Sequence, residues 1–110
     1  MAFPEQVEKL VDRLTKLSEE DKVPWEATAD DTTFLAPVSK FVVTVAEVET
    51  YDGIRYDFAI RSDDGRIIDE VLATRGEDWI QLRDLHSMAR RKALHVDEAL
   101  SDLLSSLERI

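Results

Sequence analysis

The stretch Ile54-Arg55-Tyr56-Asp57-Phe58-Ala59-Ile60-Arg61 decides the fold. Ile54, Tyr56, Phe58 and Ile60 alternate with Arg55, Asp57, Ala59 and Arg61, the period of two that marks a strand with one buried face and one wet face. Upstream, Tyr51-Asp52-Gly53 joins it to Phe41-Val42-Val43-Thr44-Val45-Ala46, which is β-branched and apolar on both faces. Such a strand is either covered on both sides or turned toward a partner. Downstream, Ser62-Asp63-Asp64-Gly65 leads into Arg66-Ile67-Ile68-Asp69-Glu70-Val71-Leu72. Asp-Gly between alternating runs is a hairpin signal, because glycine supplies the positive φ the turn needs. A first strand is expected over 32–38, ending at Pro37 or just after, since proline cannot donate to a central ladder. The core of the chain therefore reads as an antiparallel meander of three to four strands.

On both sides of the meander the period changes to 3.6. Phe3, Val7, Leu10, Leu14 and Leu17 recur at spacings of four and three, with Val11 widening the stripe and Pro4 in the first turn, where its missing N–H is no loss. That helix is expected to stop near Glu20, and Pro24 bars any continuation through Val23. After the strands, Trp79, Leu82, Leu85, Ala89 and Ala93 share one helical face over 78–94, with Asp78 as an N-cap or first-turn anion. Val96, Leu100, Leu103, Leu107 and Ile110 repeat the spacing, so a last helix should begin near Asp97, whose side chain is placed to cap it. The expected fold is α+β: one domain over 1–110 with an N-terminal helix, the meander, and two C-terminal helices packed on the sheet. Trp25 and Trp79 are expected to be largely buried, each sealing one end of the core.

Composition narrows the function. The chain has 110 residues, no cysteine, and 14 Lys and Arg against 24 Asp and Glu, a formal net charge of −10. Leu, Ile, Val and Phe supply 32 residues, above the level at which a charged chain stays unfolded. Without cysteine there is no disulfide, thiolate-bound zinc, iron–sulfur cluster or thiol nucleophile. No apolar run approaches the length of a membrane span, and the first residues do not read as a signal peptide, so a cytoplasmic protein is expected. The acidic charge also disfavours broad binding to nucleic acid or to an anionic membrane.

Pro24-Trp25-Glu26 with Thr28, the Gly65 hairpin, Trp79-x-x-Leu82-x-x-Leu85 leading to Ala89-Arg90-Arg91, and Val96-Asp97-Glu98-Ala99-Leu100 together carry a resemblance. Over about 25–104 the chain resembles a group of small bacterial proteins, some from phage-derived regions. The resemblance implies a shared fold and no activity. Members of that group commonly carry glycine where this chain has His95, and a side chain there makes a left-handed joint between the last two helices costlier.

No constellation of catalytic residues stands out. His86 and His95 are nine residues apart, which on one helix would turn them to opposite faces, so they do not form a metal pair. There is no G-x-S-x-G turn, H-E-x-x-H pair or P-loop. Asp63-Asp64-Gly65 is a turn sequence, and an EF-hand loop aligned on Gly65 would need ligands at Ile60 and Val71. A noncatalytic protein with no cofactor and no metal is expected.

Two features remain. Within 83–95, Arg83, Arg90, Arg91 and Lys92 face only Asp84 as an opposing carboxylate, and Arg83, His86, Ser87 and Arg90 fall on one helical stripe. Arg83, Ser87, Arg90 and Arg91 are the candidate anion- or partner-binding residues, since arginine forks match oxyanions. The alternative is that these cations pair with the chain's own carboxylates. The second feature is the heptad-like spacing of the terminal helices together with the two-sided strand 41–48, whose outward residues among Val42, Thr44, Ala46 and Val48 would mark an interface if uncovered. The expected function is a protein-interaction or regulatory module, homodimeric or bound to another protein. Nucleic-acid or phosphate-ligand binding through the arginine stripe is the alternative.

Overall fold

The computed structural model describes residues 4–110. The element order is α1 (Glu5–Glu19), β1 (Glu26–Ala27), β2 (Thr33–Val38), β3 (Phe41–Thr50), β4 (Gly53–Ser62), β5 (Ile67–Ala73), α2 (Gly76–Ala93) and α3 (Val96–Glu108). This is the expected α+β arrangement with five strands rather than three to four. The added strand, β1, is two residues long, too short to carry a period. Phe3, placed on the first helical stripe by its spacing, lies outside the described residues.

The five strands form one antiparallel sheet in chain order, β1-β2-β3-β4-β5. A two-residue turn at Tyr51-Asp52 fixes the longest ladder, which runs from Thr50 opposite Gly53 to Phe41 opposite Ser62. Gly53 has φ +132° and Gly65 has φ +90°, conformations that a side chain rarely adopts. A register shift between Ile60 and Arg61 marks a bulge against β5. Pro37 sits inside β2 opposite Val42, one residue before the strand ends.

One face of the sheet is covered. Phe34, Ala36, Val43, Val45, Tyr56, Phe58 and Ala73 point toward the helices and join Val7, Val11, Leu14, Leu82, Leu85 and Ala89 in a single core. The C-terminal helical pair packs on the sheet through α2, which lies against all five strands, while α1 packs against α2. On the far side of the sheet Leu35, Val42, Thr44, Ala46 and Val48 are half-buried. Arg55 donates there to Asp57 through Nε at 2.6 Å and Nη2 at 2.9 Å.

Helix ends follow local chemistry. At the end of α1, Asp21 adopts φ +60°, and the Lys22 and Asp21 N–H groups return to the Leu17 carbonyl at 2.9 Å and the Ser18 carbonyl at 3.1 Å. This is a Schellman closure, reached before Pro24. Trp25 is buried, and its indole N–H donates to Ser18 Oγ at 2.8 Å, which donates to the Leu14 carbonyl at 2.6 Å. Trp79, expected to be largely buried, is half-buried instead. It sits in the first turn of α2 at the edge of the core, where its indole N–H must reach the Ile54 carbonyl, at 2.8 Å.

His95 makes the joint between α2 and α3 in a left-handed conformation, φ 52° and ψ 47°, which a histidine holds at a cost of about 1 kcal/mol. The chain therefore breaks here without glycine. Asp97 does not cap α3: the helix starts one residue earlier, His95 offers no side-chain cap, and the Asp97 carboxylate takes an ion pair from Arg91. Helix α3 touches α2, and none of its residues is buried. No described helix is long and apolar enough to cross a membrane.

Candidate functional site

Helix α2 presents its cations to two different places. Arg83, Ser87 and Arg90, spaced four and three residues apart, line a cleft of about 320 Å3 whose opposite wall is Asp31, Thr32 and Glu47. Arg91 and Lys92 lie round the helix, beside a wider cleft near the α2–α3 joint with Asp21, Trp25 and Asp97. Of the four residues singled out in the sequence, the fold thus gathers Arg83, Ser87 and Arg90 and separates Arg91 from them.

The cations also differ in their engagements. Arg91 pairs with Asp97, and Lys92 Nζ lies 2.6 Å from Asp21 Oδ1. Arg83 lies over the Trp79 ring, 5.3 Å from its centroid, and its Nη2 is 3.2 Å from Asp84 Oδ1, an exposed pair between chain neighbours. Arg90 has no ion pair among the described residues, and the exposed Ser87 hydroxyl has no hydrogen bond there.

Below these side chains the floor of the cleft is built from buried groups. The His86 ring is buried between Phe34 and Tyr56, with ring centroids 5.4 and 5.5 Å away. Its Nε2–H donates to the Thr32 carbonyl at 2.8 Å, which fixes the protonated nitrogen and ties α2 to the start of β2. The Tyr56 hydroxyl donates to Glu47 Oε2 at 2.8 Å. Burial, reinforced by the Glu47 carboxylate, pushes the Tyr56 pKa up to about 12, so the phenol keeps its proton at any physiological pH. Next in the chain to Asp31, Asp30 accepts from the Thr32 N–H at 3.0 Å and from the Thr32 and Thr33 hydroxyls at 2.9 and 3.0 Å. Those three bonds, the backbone one foremost, hold its carboxyl below the usual value.

Sequence reasoning missed Asp31, Glu47 and Tyr56 as parts of this site. One signal for Glu47 and Tyr56 was available: the two-residue turn at 51–52 sets the register that places them opposite each other. Nothing comparable placed Asp31, which comes beside Glu47 because the Glu47 N–H extends the β2–β3 ladder to the Thr32 carbonyl, at 3.0 Å. No family model, curated protein or solved structure matches the chain. Among the described residues no three His, Asp or Glu side chains gather where they could hold a metal ion.

The other candidate surface is α3. Leu100, Leu103, Leu104 and Leu107 are 50–62% exposed and Ile110 98% exposed, so the last helix carries an apolar stripe that its own chain leaves uncovered. Patches of this kind on a water-facing surface mark interaction sites.

Proposed function

We propose that the chain is a noncatalytic protein-interaction module of the cytoplasm that pairs with a second copy of itself through α3. The observation that carries this reading is the leucine stripe of α3. Covering the exposed halves of its four leucines is worth about 1 kcal/mol each, and Ile110 about 2 kcal/mol, so two copies together gain about 12 kcal/mol. Association costs about 4–15 kcal/mol in lost freedom, which is compatible with a dimer of modest affinity.

A second copy suits this stripe better than an unrelated partner does. In an antiparallel pair of α3 helices, Arg109 of each copy lies toward the acidic first turn, Asp97 and Glu98, of the other, and the helix dipoles oppose each other. Ser101, Ser105 and Ser106 are small enough to let the two helices approach. A polyanion on the arginine stripe has weaker support: Arg91 and Lys92 are already paired, and Glu47 and Asp31 would meet its phosphates with like charge. Light scattering at high micromolar concentration tests the proposal. Twice the chain mass is expected, and a monomer mass overturns it.

A further inference from the structure

We propose that the cleft lined by α2, Asp31 and Glu47 binds a small amino-carboxylate zwitterion, of which a free amino acid is the simplest form. A volume of about 320 Å3 lies near the lower bound of small-molecule sites, about 300 Å3, and so has room for a small metabolite. Its walls are of opposite sign. Arg83 and Arg90 supply one, with the Ser87 hydroxyl between them, and Glu47 and Asp31 supply the other.

Elsewhere in the molecule opposite charges close on each other, as Lys92 does on Asp21 beside the other cleft and Arg55 on Asp57 on the far side of the sheet, both at 2.6 Å. Across this cleft they do not: no ion pair within 4.0 Å joins Arg83 or Arg90 to Glu47 or Asp31. Arg90 is left with no carboxylate among the described residues, Arg83 with the exposed carboxylate of its chain neighbour Asp84, and Glu47 with one oxygen committed to Tyr56. A ligand with a carboxylate at one end and an ammonium at the other supplies both missing partners at once. The planar arginine fork takes the carboxylate, with Ser87 as an added donor, and the compact ammonium takes the oxygens of Glu47 and Asp31. An inorganic anion satisfies only the α2 wall.

The base of the cleft and its Glu47 side are set before the ligand arrives. Tyr56, buried and protonated, holds Glu47, and the His86–Thr32 hydrogen bond holds α2 against the residue beside Asp31. Groups fixed in this way lose little freedom on binding.

The test uses the full chain labelled with 15N, whose two tryptophans give two indole N–H signals. The Trp79 ring stacks under Arg83 and edges Tyr56, whereas Trp25 lies in the core away from the cleft. Glycine, L-glutamine and L-leucine are each titrated to millimolar concentration beside their amides and N-acetyl derivatives. At least one free amino acid should move the Trp79 signal saturably and leave that of Trp25 in place, with its amide and N-acetyl forms inactive. Arg90→Gln and Glu47→Gln should each weaken that binding about 10- to 100-fold, the value of one lost charge-assisted hydrogen bond, while the rest of the spectrum shows an intact fold. No saturable movement with any amino acid overturns the proposal. So does equal movement by inorganic phosphate or by the N-acetyl forms with Glu47→Gln indifferent, which would make the cleft a simple anion site. The dimer is not involved in this measurement, so either proposal can fail alone.

Discussion

Replacing Leu103 and Leu107 together with Gln separates an interface helix from a merely decorative one. Both side chains are 56% exposed, so in the isolated chain the change removes little burial, and glutamine matches leucine closely as a helix former. The stability of the monomer should therefore move by no more than about 0.5 kcal/mol. In an α3–α3 pair the same change removes four half-buried leucines, at about 1 kcal/mol each, or about 4 kcal/mol in all. The dimer should dissociate roughly a thousandfold more readily. Sedimentation equilibrium across a range of concentrations reads the association, and a thermal melt at low concentration reads the fold. The reasoning fails if the double variant dimerises as tightly as the parent, which would move the interface to the open face of the sheet around Val42 and Val48. It fails equally if the variant's melting temperature collapses, because α3 would then be covered by its own chain.

Three further outcomes are expected. Ser18→Ala should cost about 1–3 kcal/mol in urea unfolding, because the buried Trp25 indole N–H loses its acceptor; a loss near zero would show that the bond carries no weight. Changing Arg83, Arg90 and Arg91 together to Gln should lower stability by about 1 kcal/mol, through two exposed pairs, with Asp84 and Asp97, and one stack on Trp79, with no DNA binding to lose. Submicromolar, sequence-independent DNA binding abolished by that triple change would reverse the ranking of the two functions. Asp30 is held below its ordinary pKa, so its contribution is full above the ordinary carboxylate range and fades as pH falls through the lowered value. Asp30→Asn should flatten the acid side of a plot of melting temperature against pH, and an unchanged slope would show that the turn does not respond to this charge.

Much of the fold was legible because period and turn chemistry agreed. The alternation from Ile54 to Arg61 and the Asp-Gly joints set the meander, and the four-and-three spacings set the helices. Period reports which face is apolar, though, and not what covers it: the stripe of α2 is core and the similar stripe of α3 faces water. Asp97 was misassigned because a capping residue and an ion-pair partner look alike in sequence, and Arg91 came within reach only once His95 turned the chain. The Trp79 ring was placed too deep because period gave its face but not its distance from the end of the sheet. Half of the cleft was legible as the α2 stripe. Its acidic half comes from Asp31 and Glu47, sixteen residues apart in sequence, and no local pattern joins them to an arginine on α2.

The order of the elements has a consequence for how the chain is made. Every strand pairs with its neighbour in sequence, so the sheet can close hairpin by hairpin as it emerges from the ribosome. Helix α1 has no such neighbour: among the described elements its close backbone packing is against α2, which is completed at Ala93, long after α1 ends at Glu19. At about 5–20 residues per second, the first helix waits roughly 4–15 seconds with Val7, Val11 and Leu14 uncovered before its partner exists. That interval, rather than the finished fold, is when the chain is most open to chaperones and to aggregation.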